Sequence, residues 1–416
     1  MSVVHGFFDA VKATRKGVAK VSTIKSLLTQ IGSTTSGNKD VLLKQFSRDL
    51  ERKQMPHFPE NATKSRGTRI LSIDMGIKNL AYCVADVTSP SKSRMSKMNV
   101  VAWRRLDVEK EISQQAFGSA VRKQDVEGDI EPEVNDPYTP WMLANTAYTL
   151  LTNTLLAYNP DVILIERQRW RSAGGPSIQQ WTVRVNTLEG MLWAILTALR
   201  AEAGTKDLTR DQEKAGRNYE VFGIDPKRVG NFWVGDEIRA LVKQKVTSKA
   251  GPPGKVDSVA TPRKRATQRL SRGKVEKKNK IDLVRTWLTA DTPSTALQPS
   301  FTEGAQPDNH LHPQFSQATI HFTFKGEAKA TRQAICAEIG QNGRRKATSL
   351  DTRKLDDVAD CFLQASAFVA WEQNKKIIQD ALTRVDAMTD EGDLVSGGQK
   401  DVSKEKKARK RRTTKE

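Results

Sequence analysis

Cysteine is scarce: Cys83, Cys336 and Cys361 are three in a chain of 416 residues. Their wide spacing makes no CxxC pair and no Cys/His cluster. That excludes a disulfide framework and a cysteine zinc site, and it suits a reducing compartment. Each reads as a small core hydrophobe rather than a nucleophile. No run of 18 or more apolar residues occurs, so nothing reads as a membrane-spanning helix. A GxxxxGK motif followed by Ser or Thr is missing as well, so ATP hydrolysis and a nucleotide cofactor are not expected. The five histidines, His5, His57, His310, His312 and His321, all read as lying outside the strands and helices. "NHLHP" around His310 and His312 lacks a third ligand and carries no metal expectation. There is no internal repeat of solenoid length.

What the chain has in excess is positive charge, 68 Lys/Arg against 48 Asp/Glu, for a net charge of +20. Segment 243–280 holds 13 Lys/Arg against Asp257 and Glu276, and the tail 401–416 holds eight against three acids. A polyanion met by such stretches releases counterions, so nucleic acid is the expected partner. The apolar fraction of 37% is low and the charged fraction of 28% high. The core is therefore smaller than the length suggests, with solvated insertions making up the rest.

Residues 1–20 are basic, with a single acid and the pair Phe7–Phe8, and read as a possible mitochondrial transit segment. "KEKKARKRR" in the tail offers a nuclear alternative. In residues 21–52, Ile24, Leu27, Leu28 and Ile31 share one helical face, and Val41, Leu42, Leu43 and Phe46 another. Gly32 and Gly37 punctuate the turn between them. This spacing resembles the SAP motif, a small DNA-binding helical module, with Lys39 at the edge of its turn. A linker follows over 53–68. Strands are expected within 69–87 and at Val100–Leu106, and helices over about 140–158, 178–203, 281–290 and 355–385. Further strands are expected in "DVILIE" and "YEVFGI". Stretches 107–137, 244–280 and 291–330 read as insertions, and 386–416 as a basic disordered tail. Strands that first meander and then alternate with helices predict an α/β fold with a mixed sheet.

In "RILSIDMGIKNLAYCVADV", one carboxylate, Asp74, interrupts an apolar strand. Period two puts Ile70, Ser72 and Asp74 on one face, and Leu71 and Ile73 on the other. Glu166 ends the apolar strand "VILIE", at the end where open α/β sheets bind ligands. Asp357 and Asp360, three apart in "KLDDVADCFLQASAFVAW", stack on one helix face. Four acids at one point repel unless cations lie between them. Hard divalent ions with oxygen ligands, two Mg²⁺ with Mn²⁺ as a substitute, meet that need and suit phosphoryl displacement. Gly76 would let a nucleic-acid backbone approach.

The order strand Asp, strand Glu, helix Asp-x-x-Asp resembles the ribonuclease H-like superfamily. Within it, the pattern resembles the RuvC-type resolvases of fungal mitochondria, over about 69–245 and 275–385. "LSIDMGIKNLAYC", "ILIERQRWR", "IDPKRVGNFW", "QQWTVRVNTLEGMLWA" and "DDVADCFLQA" carry the resemblance. It implies a homodimer that cuts opposed strands of a four-way DNA junction, with Asp74, Glu166, Asp357 and Asp360 as catalytic metal ligands. Asp356 is an alternative third ligand. Lys78, Arg167, Gln168, Arg169, Arg171, Lys227, Arg228, Arg353 and Lys354 lie in or beside these motifs and are candidate DNA contacts. Two other readings remain open here. One is a ribonuclease H-like or transposase-type enzyme on another nucleic acid, the other a DNA-binding scaffold without catalysis.

Overall fold

The computed structural model describes residues 10–52, 67–88, 95–112, 136–168, 175–206, 219–235, 272–289, 295–296, 319–337 and 354–412. These fall into two compact units. One draws on 1–52, 302–317 and 371–416, the other on 53–301 and 318–370.

In the first unit, a helical turn at 10–15 precedes α1 (Val21–Gln30) and α2 (Lys39–Glu51). Ile24, Leu27 and Leu28 are fully buried, as the 3.6-residue pattern requires. Asn38 caps α2 by accepting from the Val41 N–H at 3.0 Å. Gly32 takes a left-handed φ of 68° after α1, and a Cβ there would overlap the ring of Trp371. One expectation fails here. Val41 is 48% exposed, and α2 buries Leu42, Phe46 and Leu50 instead. Val11 and Ala19 pack in the same cluster as α1, α2, Ile378 and Ala381. Part of the expected transit segment thus belongs to a folded core; residues 1–9 lie outside the described residues.

The second unit is built on a seven-stranded sheet. In chain order come β1 (Thr68–Asp74), β2 (Leu80–Thr88), β3 (Met95–Leu106), α3 (Pro140–Thr149), β4 (Val162–Glu166) and α4 (Pro176–Lys206). There follow β5 (Glu220–Ile224), α5 (226–235), α6 (Arg272–Thr289), β6 (Thr295–Ala296), β7 (Thr319–Phe324), α7 (Ala328–Cys336) and α8 (Leu355–Arg412). Pro140 opens α3, where its missing N–H costs nothing, and α3 runs on through a π turn and a 3-10 turn to Tyr158. Strand order is β5-β4-β1-β2-β3-β7-β6. β2 is antiparallel to β1 and β3, whereas β4 is parallel to β1 and β5. This mixed sheet flanked by helices agrees with the ribonuclease H-like α/β expectation.

Both faces of the sheet centre are covered, which is why β4 reads as an unbroken apolar run. Leu71 and Ile73 pack with Leu150, Leu155, Leu188 and Leu192 on one side. On the other, the first turns of α8 pack through Phe362, 4.7 Å from Trp103 and 4.9 Å from Phe322 between ring centroids. Indole N–H groups fix α8 further: Trp103 donates to Val358 O at 2.8 Å and Trp233 to Leu363 O at 3.0 Å.

The structure corrects several boundaries. Part of 291–330, expected to be irregular, is β7, whose Ile320, Phe322 and Phe324 are buried at period two beside β3. His321 therefore lies in the sheet and not outside it. α6 begins at Arg272, taking nine residues from the expected basic linker. Residues 108–112 of the acidic insertion form a π turn that buries Val108 and Ile112. α8 continues to Arg412, through the tail expected to be disordered. That stretch contains no proline, and its Lys, Arg, Glu and Ala are good helix formers.

Candidate active site

β1 and β4 are parallel neighbours with Ile73 opposite Ile165, so the last residues of both, Asp74 and Glu166, stand side by side. Adjacent strands are about 4.8 Å apart, which puts the two carboxyls within reach of each other. Asp74 is half-buried and shares a hydrogen bond with Glu166. Burial, that bond and the charges of Glu166, Asp360 and Asp357 push the Asp74 carboxyl well above the usual carboxylate range. The aspartate thus stands among acids at the end of the sheet.

The first turns of α8 bring the remaining acids. Burial and the neighbouring Asp356 charge push Asp357 up to about 6. Its Oδ2 is enclosed with no hydrogen-bond partner. Burial raises Asp360 too, opposed by Lys280, whose Nζ lies 2.9 Å from Asp360 Oδ1. Asp356 is bound to Lys277. Lys354, at φ 63°, precedes the helix. With the Asn79 amide oxygen turned toward it, that oxygen accepts from Lys354 Nζ at 2.6 Å.

Gln364 braces the site from behind. One and two turns along α8 from Asp360 and Asp357, it donates to Ser72 Oγ (3.1 Å), Ile73 O (3.2 Å) and Leu164 O (3.4 Å). It thus joins α8 to the two strands just before their carboxylates. Gln364→Leu should keep the volume but strip these bonds, at about 1–3 kcal/mol of stability. Misplacement of the acids should slow turnover by roughly 100-fold. A thermal melt beside single-turnover cleavage measures both; unchanged turnover would show that the brace is dispensable.

Of the candidate DNA contacts, several surround this end of the sheet. Lys78 is exposed, 3.7 Å from Glu109 and 5.8 Å from the centre of the Trp181 ring. The Arg167 N–H bonds Ile224 O at 2.8 Å, and its side chain crosses over Gly223. The Gln168 N–H donates to Glu189 Oε2 at 3.1 Å. Lys227 and Arg228 open α5 directly after β5, whose Ile224 is in register with Glu166. Lys39 belongs to the first unit. Arg169, Arg171, Trp170 and Arg353 lie outside the described residues. Gly76 has a local explanation, since a Cβ there would come 3.0 Å from Asn79 O in the turn after β1.

Sequence reasoning missed Lys277, Lys280, Gln364, Asn79 and Glu189. Glu189, on α4, is half-buried; burial raises its carboxyl, with Glu166 adding and Gln168, Trp193 and Arg167 opposing. Gln364 did leave a signal, a polar residue in line with Asp357 and Asp360 on an otherwise apolar helix. The two lysines left none, because they sit in a run of basic residues.

The donor set fits a hard divalent cation, being made of carboxylate oxygens, one of them enclosed and unpaired. Among the described residues, no three Asp, Glu, His or Cys side chains yet close on one point. Lysines meet two of the acids instead: Asp360 is paired with Lys280 and Asp356 with Lys277.

Fold and site together define an α/β protein whose mixed sheet carries carboxylates at two adjacent parallel strand ends, faced by more on a helix. The chain belongs to the family described as mitochondrial resolvase Ydc2 / RNA splicing MRS1, which matches residues 70–378. It is 30% identical over 214 residues to the mitochondrial cruciform cutting endonuclease 1 of Schizosaccharomyces pombe. That alignment spans 51% of this chain and 66% of the relative. The Saccharomyces cerevisiae protein of the same name is 23% identical over 375 residues, 88% of this chain and 85% of that one. A crystal structure of the yeast mitochondrial Holliday junction resolvase Ydc2 aligns with a TM-score of 0.42 and 21% identity. It covers 88% of this chain and 98% of its own.

Proposed function

We propose that this protein is a mitochondrial endonuclease that resolves four-way DNA junctions by paired nicks, acting as a homodimer with two Mg²⁺ ions per site. The observation that carries this reading is the Asp74–Glu166 pair, two half-buried carboxyls side by side at adjacent strand ends with the charges of Asp357 and Asp360 beside them. A structural role would not gather this many acids at one end of a sheet. Family membership and the names of the two cruciform cutting relatives support the substrate and the compartment. Glu166 at a strand terminus favours the RuvC type over true ribonuclease H.

Asp74, Glu166, Asp360 and Asp357 would hold the ions, which activate a water and stabilise the leaving oxygen of a phosphodiester. The rest falls to the chain. Asp74 and Glu166 stand side by side at the ends of β1 and β4, where both carboxylates would face an ion. Gln364 keeps both strand ends in register, and the aromatic wall of Trp103, Phe322 and Phe362 keeps water from behind the acids. Lys78, Arg167, Lys227 and Lys354 orient phosphates at the mouth. The basic segments and the SAP-like helices add affinity without sequence choice. A two-fold symmetric substrate is best met by two sites related by a two-fold axis.

The test offers the purified protein a four-way junction, a linear duplex and an RNA–DNA hybrid, with Mg²⁺, Mn²⁺ or EDTA. Symmetric nicking of the junction alone, dependent on the ion, is expected. Equal cutting of all three, or binding without cutting, would replace the reading with a general nuclease or a scaffold.

A further inference from the structure

Lys277 and Lys280 are three apart on α6 and so share a face. They meet Asp356 and Asp360, which are four apart on α8. Two rungs thus join the two helices along the acid cluster. The rungs differ in depth: the Lys280 side chain is 11% exposed and that of Lys277 is 60% exposed. Five of the first nine residues of α6 are basic, Arg272, Lys274, Lys277, Lys278 and Lys280. Enclosing an ammonium costs several kcal/mol unless a carboxylate repays it, and a helix this rich in lysine had exposed positions to use. Lys280 is enclosed, and its ammonium meets the Asp360 carboxylate there.

We propose that Lys280, assisted by Lys277, is a resident cation of the acid cluster that a divalent ion must displace before the site can work. This rests on the nuclease reading and extends it. An ammonium and a metal ion compete for Asp360 because both are drawn by the same negative charge, yet the ammonium brings only N–H donors and cannot bind water as a Lewis acid. While Lys280 is bound, Asp360 is turned to α6 and Asp357 keeps an unpaired oxygen. Affinity for the ion is then reduced by the fraction of molecules in which the lysine holds the seat. Removing the lysine raises that affinity.

Mn²⁺ binding to the metal-free full chain, followed by electron paramagnetic resonance without DNA, decides the matter. Lys280→Gln and Lys280→Met are expected to bind Mn²⁺ about tenfold more tightly than the wild type, the scale of a typical coupling between sites. Lys277→Gln, at the exposed rung, is expected to tighten binding by a smaller factor, and it serves if the buried variants fold poorly. Equal or weaker binding by the lysine variants overturns the proposal and makes the lysines plain counter-charges. Asp74→Asn is the separate control. Should it bind Mn²⁺ as well as the wild type, the nuclease reading itself fails, whatever the lysines do.

Discussion

Asp74→Asn should lower the rate of junction cleavage by about 1,000-fold or more, a barrier increase of about 4 kcal/mol, and leave junction affinity within about twofold. Asparagine keeps the shape and removes the charge. It is a poor ligand for a hard cation, whereas the proposed DNA contacts are basic side chains elsewhere. The same change should stabilise the metal-free protein at neutral pH. Burial and neighbouring acids raise Asp74 and Asp360, and hold Asp357 at about 6. The folded chain therefore binds protons more tightly than the unfolded chain, where such groups titrate near 3.9. The contribution of these three groups to stability in EDTA is fully present at low pH and is lost as pH rises through the folded values. Replacing Asp74 removes one such group, so the variant should melt higher than the wild type in EDTA at pH 8. Added Mg²⁺ should raise the wild type more than the variant. Cleavage within tenfold of normal, or a lower melting point in EDTA, would remove Asp74 from the centre of the site.

Phe362→Ala should cost about 3–5 kcal/mol and lower the melting temperature of the nuclease unit by roughly 10 °C. Phe362 is fully buried two residues past Asp360. Its ring lies 4.7 Å from Trp103, 4.9 Å from Phe322, 6.2 Å from Phe324 and 6.4 Å from Trp287. Truncation leaves a cavity walled by large rings that cannot collapse into it. The loss matters for function because this cluster seats the first turns of α8, and with them Asp357 and Asp360. Phe362→Leu, which refills most of the space, should recover more than half of the loss. A melting temperature within about 2 °C of the wild type for the alanine variant would show that the α8 seat lies elsewhere.

The acids were legible because each sits against its local grain. Asp74 breaks an apolar alternation, Glu166 ends an apolar run, and Asp357 and Asp360 repeat at helical spacing beside a buried stripe. β7 was not legible, because six alternating residues followed a Pro/Ser/Thr/Gln-rich stretch that dominates any window containing them. The start of α6 was hidden in the same way, by a basic linker of similar composition.

By itself the sequence determined which segments must be buried and which carboxylates stand among them, since period and polarity are local properties of the chain. It also determined the basic excess that favours a polyanion. Only the tertiary structure decided what each acid meets. Register across β1 and β4 set Asp74 beside Glu166, and the packing of α8 turned Gln364 onto their strands. The approach of α6 put two lysines against Asp356 and Asp360. Such pairings join residues up to 292 positions apart, as Gln364 and Ser72 are, and no local pattern encodes a partner at that distance.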